Sequence, residues 1–264
     1  MPYLYIYPIP PKSSRIKFTG YIVPKILEIS LAVPRTGWTW PEVGIDVTFE
    51  LSIVNGDISV ICYASDFDKE KLFFPLILRT HDIVRTALNL TTFSPGFGFT
   101  FILDEATFPD GTKNKLMIQE PALATLSTST EKQVDYDTVM KIALQELPVA
   151  RALHDLIDSI TVFHAAQTAC LRAIETLRNH MVPDTKNRER QWKIFRQNLR
   201  IQRTYLEPIT KLSVGPRHGD PIYVPDIEIK NIQERAWTIV NRYFEFRKLG
   251  GREPLPLILF PYLA

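Results

Sequence analysis

The segment from Gly215 to Asp220 has the residue types best suited to reaction chemistry. It reads Gly-Pro-Arg-His-Gly-Asp and places Arg217 directly before His218. A histidine can act as a general acid or base near neutral pH, and an adjacent guanidinium can stabilise phosphate charge. We therefore expect Arg217 and His218 to be catalytic candidates for a phosphate-bearing substrate. The alternative is a structural turn in which His218 and Asp220 cap neighbouring backbone groups.

A strongly basic segment precedes this loop. From Lys186 to Arg217 there are nine Lys or Arg residues and two Glu residues, a local net charge of +7 in a chain of net charge +2. Arginine suits phosphate because its planar guanidinium donates two parallel hydrogen bonds. The alternative is a solvated helix face whose arginines pair with acids elsewhere. The residues expected to bind an anionic ligand are Lys193, Arg196, Arg200, Arg203 and Lys211.

Other reactive side chains do not form a recognisable site. Cys62 and Cys170 each lie within an apolar pattern, which indicates buried free thiols rather than a redox or metal pair. His154 and Asp158 are one helical turn apart but lack a third metal ligand. The sequence therefore predicts no metal site and no cofactor.

Composition places the chain among globular proteins. It has 264 residues, of which 45% are hydrophobic and 23% are charged, so bulk disorder is excluded. Its apolar stretches are shorter than the roughly 20 residues that a membrane-spanning helix requires. The first residues lack the basic region of a secretion signal. We expect a cytoplasmic protein that does not associate with membranes.

The first half of the sequence has the pattern of an antiparallel sheet with one helix. Apolar residues alternate over 27–33, 47–53 and 97–103, and Asn55-Gly56 is a strong hairpin signal. A helical pattern covers 76–90, with Pro75 in its first turn or at a kink. A polar stretch then separates the halves, so the predicted domains are a β-rich α+β domain over 1–130 and a helical domain over 131–264.

The second half has helical periodicity throughout. After a short helix over 137–147, apolar positions recur at alternating spacings of three and four from Leu153 to Met181 and again from Trp192 to Ile209. A further helix is expected from Asp226 to Leu249. These helices predict an antiparallel bundle, so the fold class is α+β. Gln167 and Gln202 interrupt the two long seams, and they either pair with each other or find separate environments.

The bundle resembles the HEPN superfamily over about residues 137–250. The resemblance rests on the helical segment 171–178, the arginine-rich helix and the triplet Arg217-His218-Gly219 before the last helix. It implies RNA binding or cleavage and pairing of bundles into a homodimer. Active members carry an arginine a few residues before the histidine, where this sequence has Lys211, Leu212 and Ser213. Lysine keeps the charge there but lacks the bidentate geometry.

Two functional hypotheses follow from different classes. The first is a nucleic-acid or nucleotide-binding protein that uses the basic helix with Arg217 and His218. A degenerate or atypical ribonuclease is the narrower form of this hypothesis. The second is a non-catalytic module for protein interaction or dimerisation through the bundle. Salt-sensitive RNA binding separates them, because counterions released from the nucleic acid oppose binding as salt rises.

Overall fold

The computed structural model describes residues 7–25, 28–40, 45–93, 95–96, 98–116, 121–127, 133–162, 165–183, 187–217 and 224–264. The chain divides into two compact units, Met1–Met117 and Ile118–Ala264. The second unit begins before the boundary predicted at residue 130, because a short helix at Pro121–Thr125 packs against the last helix of the chain.

The first unit is a six-stranded antiparallel sheet with one helix. Its strand order is β2-β3-β4-β1-β5-β6. The strands are Ser14–Val23 (β1), Leu31–Trp40 (β2), Ile45–Val54 (β3), Asp57–Ala64 (β4), Thr100–Thr107 (β5) and Lys113–Lys115 (β6). The helix between β4 and β5 is Lys69–Phe93 (α1).

Alternation of apolar residues builds the sheet core. Val47, Phe49 and Leu51 on β3 are buried, whereas Ser52 between the buried positions is exposed. The hairpin predicted at Asn55-Gly56 is confirmed, with φ angles of 51° and 85° that suit a tight hairpin turn. This residue pair sets the register in which β3 pairs with β4.

Parts of the sheet unit differ from the prediction. β1 was not predicted, although this strand lies inside the sheet and pairs with both β4 and β5. The strands predicted over 27–33 and 97–103 begin later, at Leu31 and Thr100. Helix α1 begins at Lys69, well before Pro75, so the proline lies inside the helix rather than in its first turn. The Asp68 carboxylate accepts a hydrogen bond from the Glu70 N–H at 3.0 Å, which stabilises this earlier start.

The second unit is a bundle of helices. Its helices are Pro121–Thr125 (α2), Gln133–Gln145 (α3), Leu147–Thr161 (α4), Ala166–Met181 (α5), Arg188–Leu199 (α6), Arg203–Arg217 (α7) and Asp226–Lys248 (α8). Helix α5 lies at the centre and packs against α4, α6, α7 and α8. The α+β class, with an antiparallel sheet and one helix followed by a helical bundle, is confirmed.

Both long seams are divided between two helices. The seam from Leu153 to Met181 spans α4 and α5, and the seam from Trp192 to Ile209 spans α6 and α7. Periodicity conceals the breaks because the spacing of apolar residues continues across them. Gln167 is buried while Gln202 is exposed at the α6–α7 break, so the two amides do not share a packed seam. Within the described residues, no helix has the length and apolar character needed to cross a bilayer.

Candidate functional site

A groove of about 490 Å³ lies between α6 and α7 in the bundle unit. It combines cationic, acidic and apolar side chains from the two helices. Those side chains are Arg188, Glu189, Trp192 and Arg196 from α6, and Arg203, Leu206, Glu207 and Thr210 from α7. We call this feature the α6–α7 groove.

The groove exists because the chain turns sharply between the two helices. Arg200 follows α6 with a left-handed φ of 54°, which ends the helix. Ile201 forms a parallel bridge with Leu263 near the end of the chain, and α7 then starts at Arg203. The predicted single helix over 192–209 is therefore wrong, and its bend brings side chains of α6 and α7 to one groove.

The indole of Trp192 is the aromatic element of the groove. It is half-buried and meets the ring of Phe195 edge-on, with the centroids 6.0 Å apart. The guanidinium of Arg178 lies 4.4 Å from the indole centroid, a cation–π distance. Arg178 is only 5% exposed, and burial lowers the pKa of its guanidinium. These contacts fix the orientation of Trp192.

The three arginines of the groove remain accessible. Arg188 forms an ion pair with Glu175, and its side chain is 66% exposed. Arg203 lies 3.4 Å from Glu207 and is 80% exposed, which is typical of a weak surface pair. Arg196 donates through Nε to the Trp192 carbonyl at 3.2 Å. Each guanidinium keeps further N–H donors that can face a ligand.

The structure places the predicted ligand-binding residues in different surroundings. Arg196 and Arg203 line the groove, while Lys193 and Lys211 are exposed on α6 and α7 outside its lining. Arg200 has structural contacts. Its Nε donates to the Leu255 carbonyl at 2.9 Å, and its guanidinium lies 5.7 Å from the Tyr262 ring. This residue therefore ends α6 and attaches the C-terminal segment, residues 255–263, and its assignment to ligand binding stays a prediction.

Arg188 lines the groove but was not among the predicted ligand-binding residues. It lies one helical turn before Trp192, and this spacing places both side chains on one face of α6. This spacing could have been recognised in the sequence. The presence of Leu206 and Thr210 in the groove lining could not, because it depends on the turn between the helices.

The proposed catalytic pair falls at the edge of the described structure. Arg217 is the last residue of α7, and its side chain is outside the described residues. His218 lies outside the described residues altogether. Its assignment as an acid or base therefore stays a prediction.

Other titratable groups have structural surroundings. His180 Nε2 lies 2.8 Å from Glu146 Oε2, and Arg247 contacts the other oxygen of the same carboxylate, which links α5 and α8 to the start of α4. Burial raises the pKa of both the Cys62 and the Cys170 thiols to about 12. Within the described part of the chain, no group of three His, Cys, Asp or Glu residues is placed to hold a metal ion.

Two family models match the chain. Residues 16–117 match the N-terminal domain of DUF8168, a domain of unknown function, and residues 136–248 match the C-terminal domain of DUF8168. The first match ends at the residue where the first compact unit ends. No curated protein and no solved structure matches the chain.

Proposed function

We propose that the bundle unit binds single-stranded RNA in the cytoplasm through the α6–α7 groove. One observation carries this proposal: the oriented indole of Trp192 shares the groove with the guanidinium groups of Arg188, Arg196 and Arg203. Single-stranded RNA presents unstacked bases that stack on aromatic side chains and phosphates that accept hydrogen bonds from arginine.

The size and lining of the groove support a nucleotide unit as the ligand. Its volume of about 490 Å³ falls within the range of small-molecule sites. Trp192 and Leu206 offer apolar contact to a base, and the three arginines offer donors to the adjoining phosphates. A duplex keeps its bases stacked and paired, so it cannot present one to the indole.

The acidic residues of the groove bear on which bases fit. Glu189 and Glu207 are both exposed along its lining, and they reduce its positive charge. A carboxylate accepts a hydrogen bond from an exocyclic amino group, as Glu does from cytosine N4 in nucleic-acid complexes. Cytidine-containing RNA is therefore the appropriate first probe.

Fluorescence anisotropy with a labelled oligocytidylate of ten residues tests the proposal on the full chain. We expect wild-type protein to bind at low salt and Trp192→Ala to weaken binding by about tenfold or more. The double variant Arg196→Ala/Arg203→Ala should weaken it at least as much, because both changes remove phosphate donors. The matched control is Lys141→Ala/Arg151→Ala, which removes the same charge from exposed positions on α3 and α4.

Two results contradict the proposal. The first is the absence of wild-type binding at low salt. The second is equal weakening by the groove variant and the control variant, since that result assigns binding to net charge rather than to the groove. Circular dichroism of each variant establishes that the bundle is folded.

Cleavage of the bound RNA is a separate prediction carried by the HEPN resemblance. The described lining of the groove holds no histidine, and His218 lies outside the described residues, so cleavage is tested separately from binding. The variant Arg217→Ala/His218→Ala separates the two activities. If this variant still binds RNA but no longer cleaves it, the loop that contains His218 is assigned to catalysis.

A different surface favours self-association as a second candidate function. Leu257, Ile258 and Leu259 are 54%, 96% and 71% exposed in one short turn. The turn is held in place because Leu255 donates to the Asn198 carbonyl at 2.9 Å and Leu263 donates to the Arg200 carbonyl at 2.9 Å. Three consecutive exposed aliphatic side chains support the proposal of a contact surface at this turn, because exposed apolar patches are often sites of association.

We propose that this turn contacts an apolar groove on the bundle unit of a second copy of the chain. An apolar groove of about 300 Å³ lies among α3, α4 and α8, with Met140, Leu153 and Phe244 in its lining. Light scattering should give a mass above 30.4 kDa for wild type and the monomer mass for Ile258→Glu. The control Leu90→Glu changes another exposed leucine, on α1, and should behave as wild type. A wild type that is monomeric at every concentration contradicts self-association.

A further inference from the structure

We propose that the RNA site continues from Trp192 to a second aromatic cleft containing Tyr205 and Arg235, so that it recognises an oligonucleotide rather than a mononucleotide. This inference rests on the proposed function and names the form of its ligand. It arises from a separate cavity of about 370 Å³ among α2, α7 and α8. The cavity is lined by Ala122, Thr125, Leu126, Tyr205, Asn231, Glu234, Arg235 and Thr238.

Arg235 and Tyr205 are positioned by direct contacts. The guanidinium of Arg235 lies 4.6 Å from the Tyr205 ring centroid. Its Nε donates to Asn231 Oδ1 at 2.8 Å, and one terminal nitrogen donates to the Tyr205 carbonyl at 3.1 Å. The other terminal nitrogen makes no hydrogen bond with the described residues, so it can donate to a phosphate. A fixed ring and a fixed donor lower the entropy that a ligand must lose on binding.

Trp192 in the α6–α7 groove is also paired with a guanidinium. Arg178 lies 4.4 Å from its indole but does not line the groove, where the donors are Arg188, Arg196 and Arg203. Both rings are half-buried, and each lines its own cavity. Base stacking on an aromatic ring together with arginine contacts is typical of proteins that bind single strands without a strict sequence requirement.

The two clefts flank the first turn of α7. Arg203 lines the α6–α7 groove and Tyr205 lines the second cleft. Two residues along a helix correspond to a rotation of about 200° and a rise of about 3 Å, so the two side chains project to opposite sides of α7 at nearly the same height. A strand that joins the clefts therefore crosses the N-terminal end of α7, where the helix dipole is positive.

Length dependence of binding tests this inference on the full chain. The quantities to compare are the affinities of cytidine monophosphate and of a labelled tetracytidylate for wild type, Tyr205→Ala and Tyr205→Phe. Wild type should bind the tetranucleotide more tightly than the mononucleotide. Tyr205→Ala should lose about tenfold for the tetranucleotide and nothing for the mononucleotide, while Tyr205→Phe keeps the ring and the affinity.

Each outcome assigns the failure to one claim. If Tyr205→Ala binds the tetranucleotide as tightly as wild type does, the second cleft is overturned. The proposed function still stands in that case if Trp192→Ala loses binding. Failure of the wild type to bind either ligand overturns the proposed function itself. If Tyr205→Ala does not fold, Arg235→Gln tests the second cleft through its other component. It removes the guanidinium that the cleft offers to a phosphate, so it should weaken binding of the tetranucleotide and leave binding of the mononucleotide unchanged.

Discussion

Basic side chains in the arginine-rich part of the chain divide between structural and surface roles. Arg178 and Arg200 contact aromatic rings and backbone or amide oxygens inside the bundle unit. Arg188 and Arg203 extend into solvent beside the groove, in ion pairs with Glu175 and Glu207. A sum of charges along the sequence therefore overstates the number of guanidinium groups that a phosphate can reach.

Both cysteines should resist alkylation in the folded protein. Burial disfavours the thiolate and raises the pKa of Cys62 and Cys170 to about 12, so the reactive form is scarce at pH 8. Mass spectrometry after brief iodoacetamide treatment should find both thiols unmodified in buffer and modified in urea. Rapid native labelling of either thiol would show that it is accessible, contrary to the structure.

Gly20 in β1 should not tolerate a side chain. A Cβ atom at this position would lie 2.0 Å from the Ile102 carbonyl oxygen, at the irregularity where β1 shifts register against β5. We expect Gly20→Ala to lower the free energy of unfolding by about 3 kcal/mol, because backbone must move. Gly98→Ala is the matched control, since no atom lies within 4 Å of its added Cβ. Equal urea midpoints for the two variants would contradict this account.

At the scale of elements, the α6–α7 turn creates the candidate site. It is held by Arg242 on α8, which donates to the Leu199 carbonyl at 3.1 Å, the Arg200 carbonyl at 2.9 Å and the Pro261 carbonyl at 2.7 Å. One guanidinium thus links the end of α6 to the C-terminal segment. This link holds the turn that brings α6 and α7 to one groove.

Arg242→Ala should loosen the turn. Loss of three charge-assisted hydrogen bonds should lower the free energy of unfolding by about 2 kcal/mol. It should also speed amide exchange at Gln202 and Leu263, which hydrogen-bond across the turn at 2.8 and 2.9 Å. Arg242→Lys keeps the charge but cannot reach all three carbonyls, so its effect should be intermediate. Unchanged exchange at both amides in Arg242→Ala would contradict the assigned role.

The sequence predicted the helices and strands better than the positions at which one helix ends and the next begins. The β3–β4 hairpin followed from alternation and Asn55-Gly56, and α8 followed from its periodicity. The α6–α7 break did not, because the left-handed residue is Arg200 rather than a glycine and the apolar spacing runs through it. Arg196 and Arg203 were predicted as ligand-binding residues. That they line one groove with Trp192 and Leu206 could not be predicted, because it depends on the turn between α6 and α7.

At the scale of the whole molecule, charge is unevenly distributed. The segment from Lys186 to Arg217 carries a net +7 in a chain of net +2, so the remaining residues are net negative. The charge distribution should therefore favour the approach of RNA to this segment over the rest of the chain. If three phosphates are neutralised in the groove, the logarithm of the binding constant should fall with the logarithm of salt concentration at a slope of about −2. A flat salt dependence would contradict phosphate binding.

The position of bound RNA on the full chain is the most direct measurement of the central claim. Ultraviolet crosslinking of the ten-residue oligocytidylate, followed by peptide mass spectrometry, locates the contact in wild-type protein without any substitution. The account predicts crosslinked peptides that contain Trp192, with a second set at Tyr205. Crosslinks confined to the sheet unit, residues 1–117, would contradict it, because every residue that lines the α6–α7 groove belongs to the bundle unit.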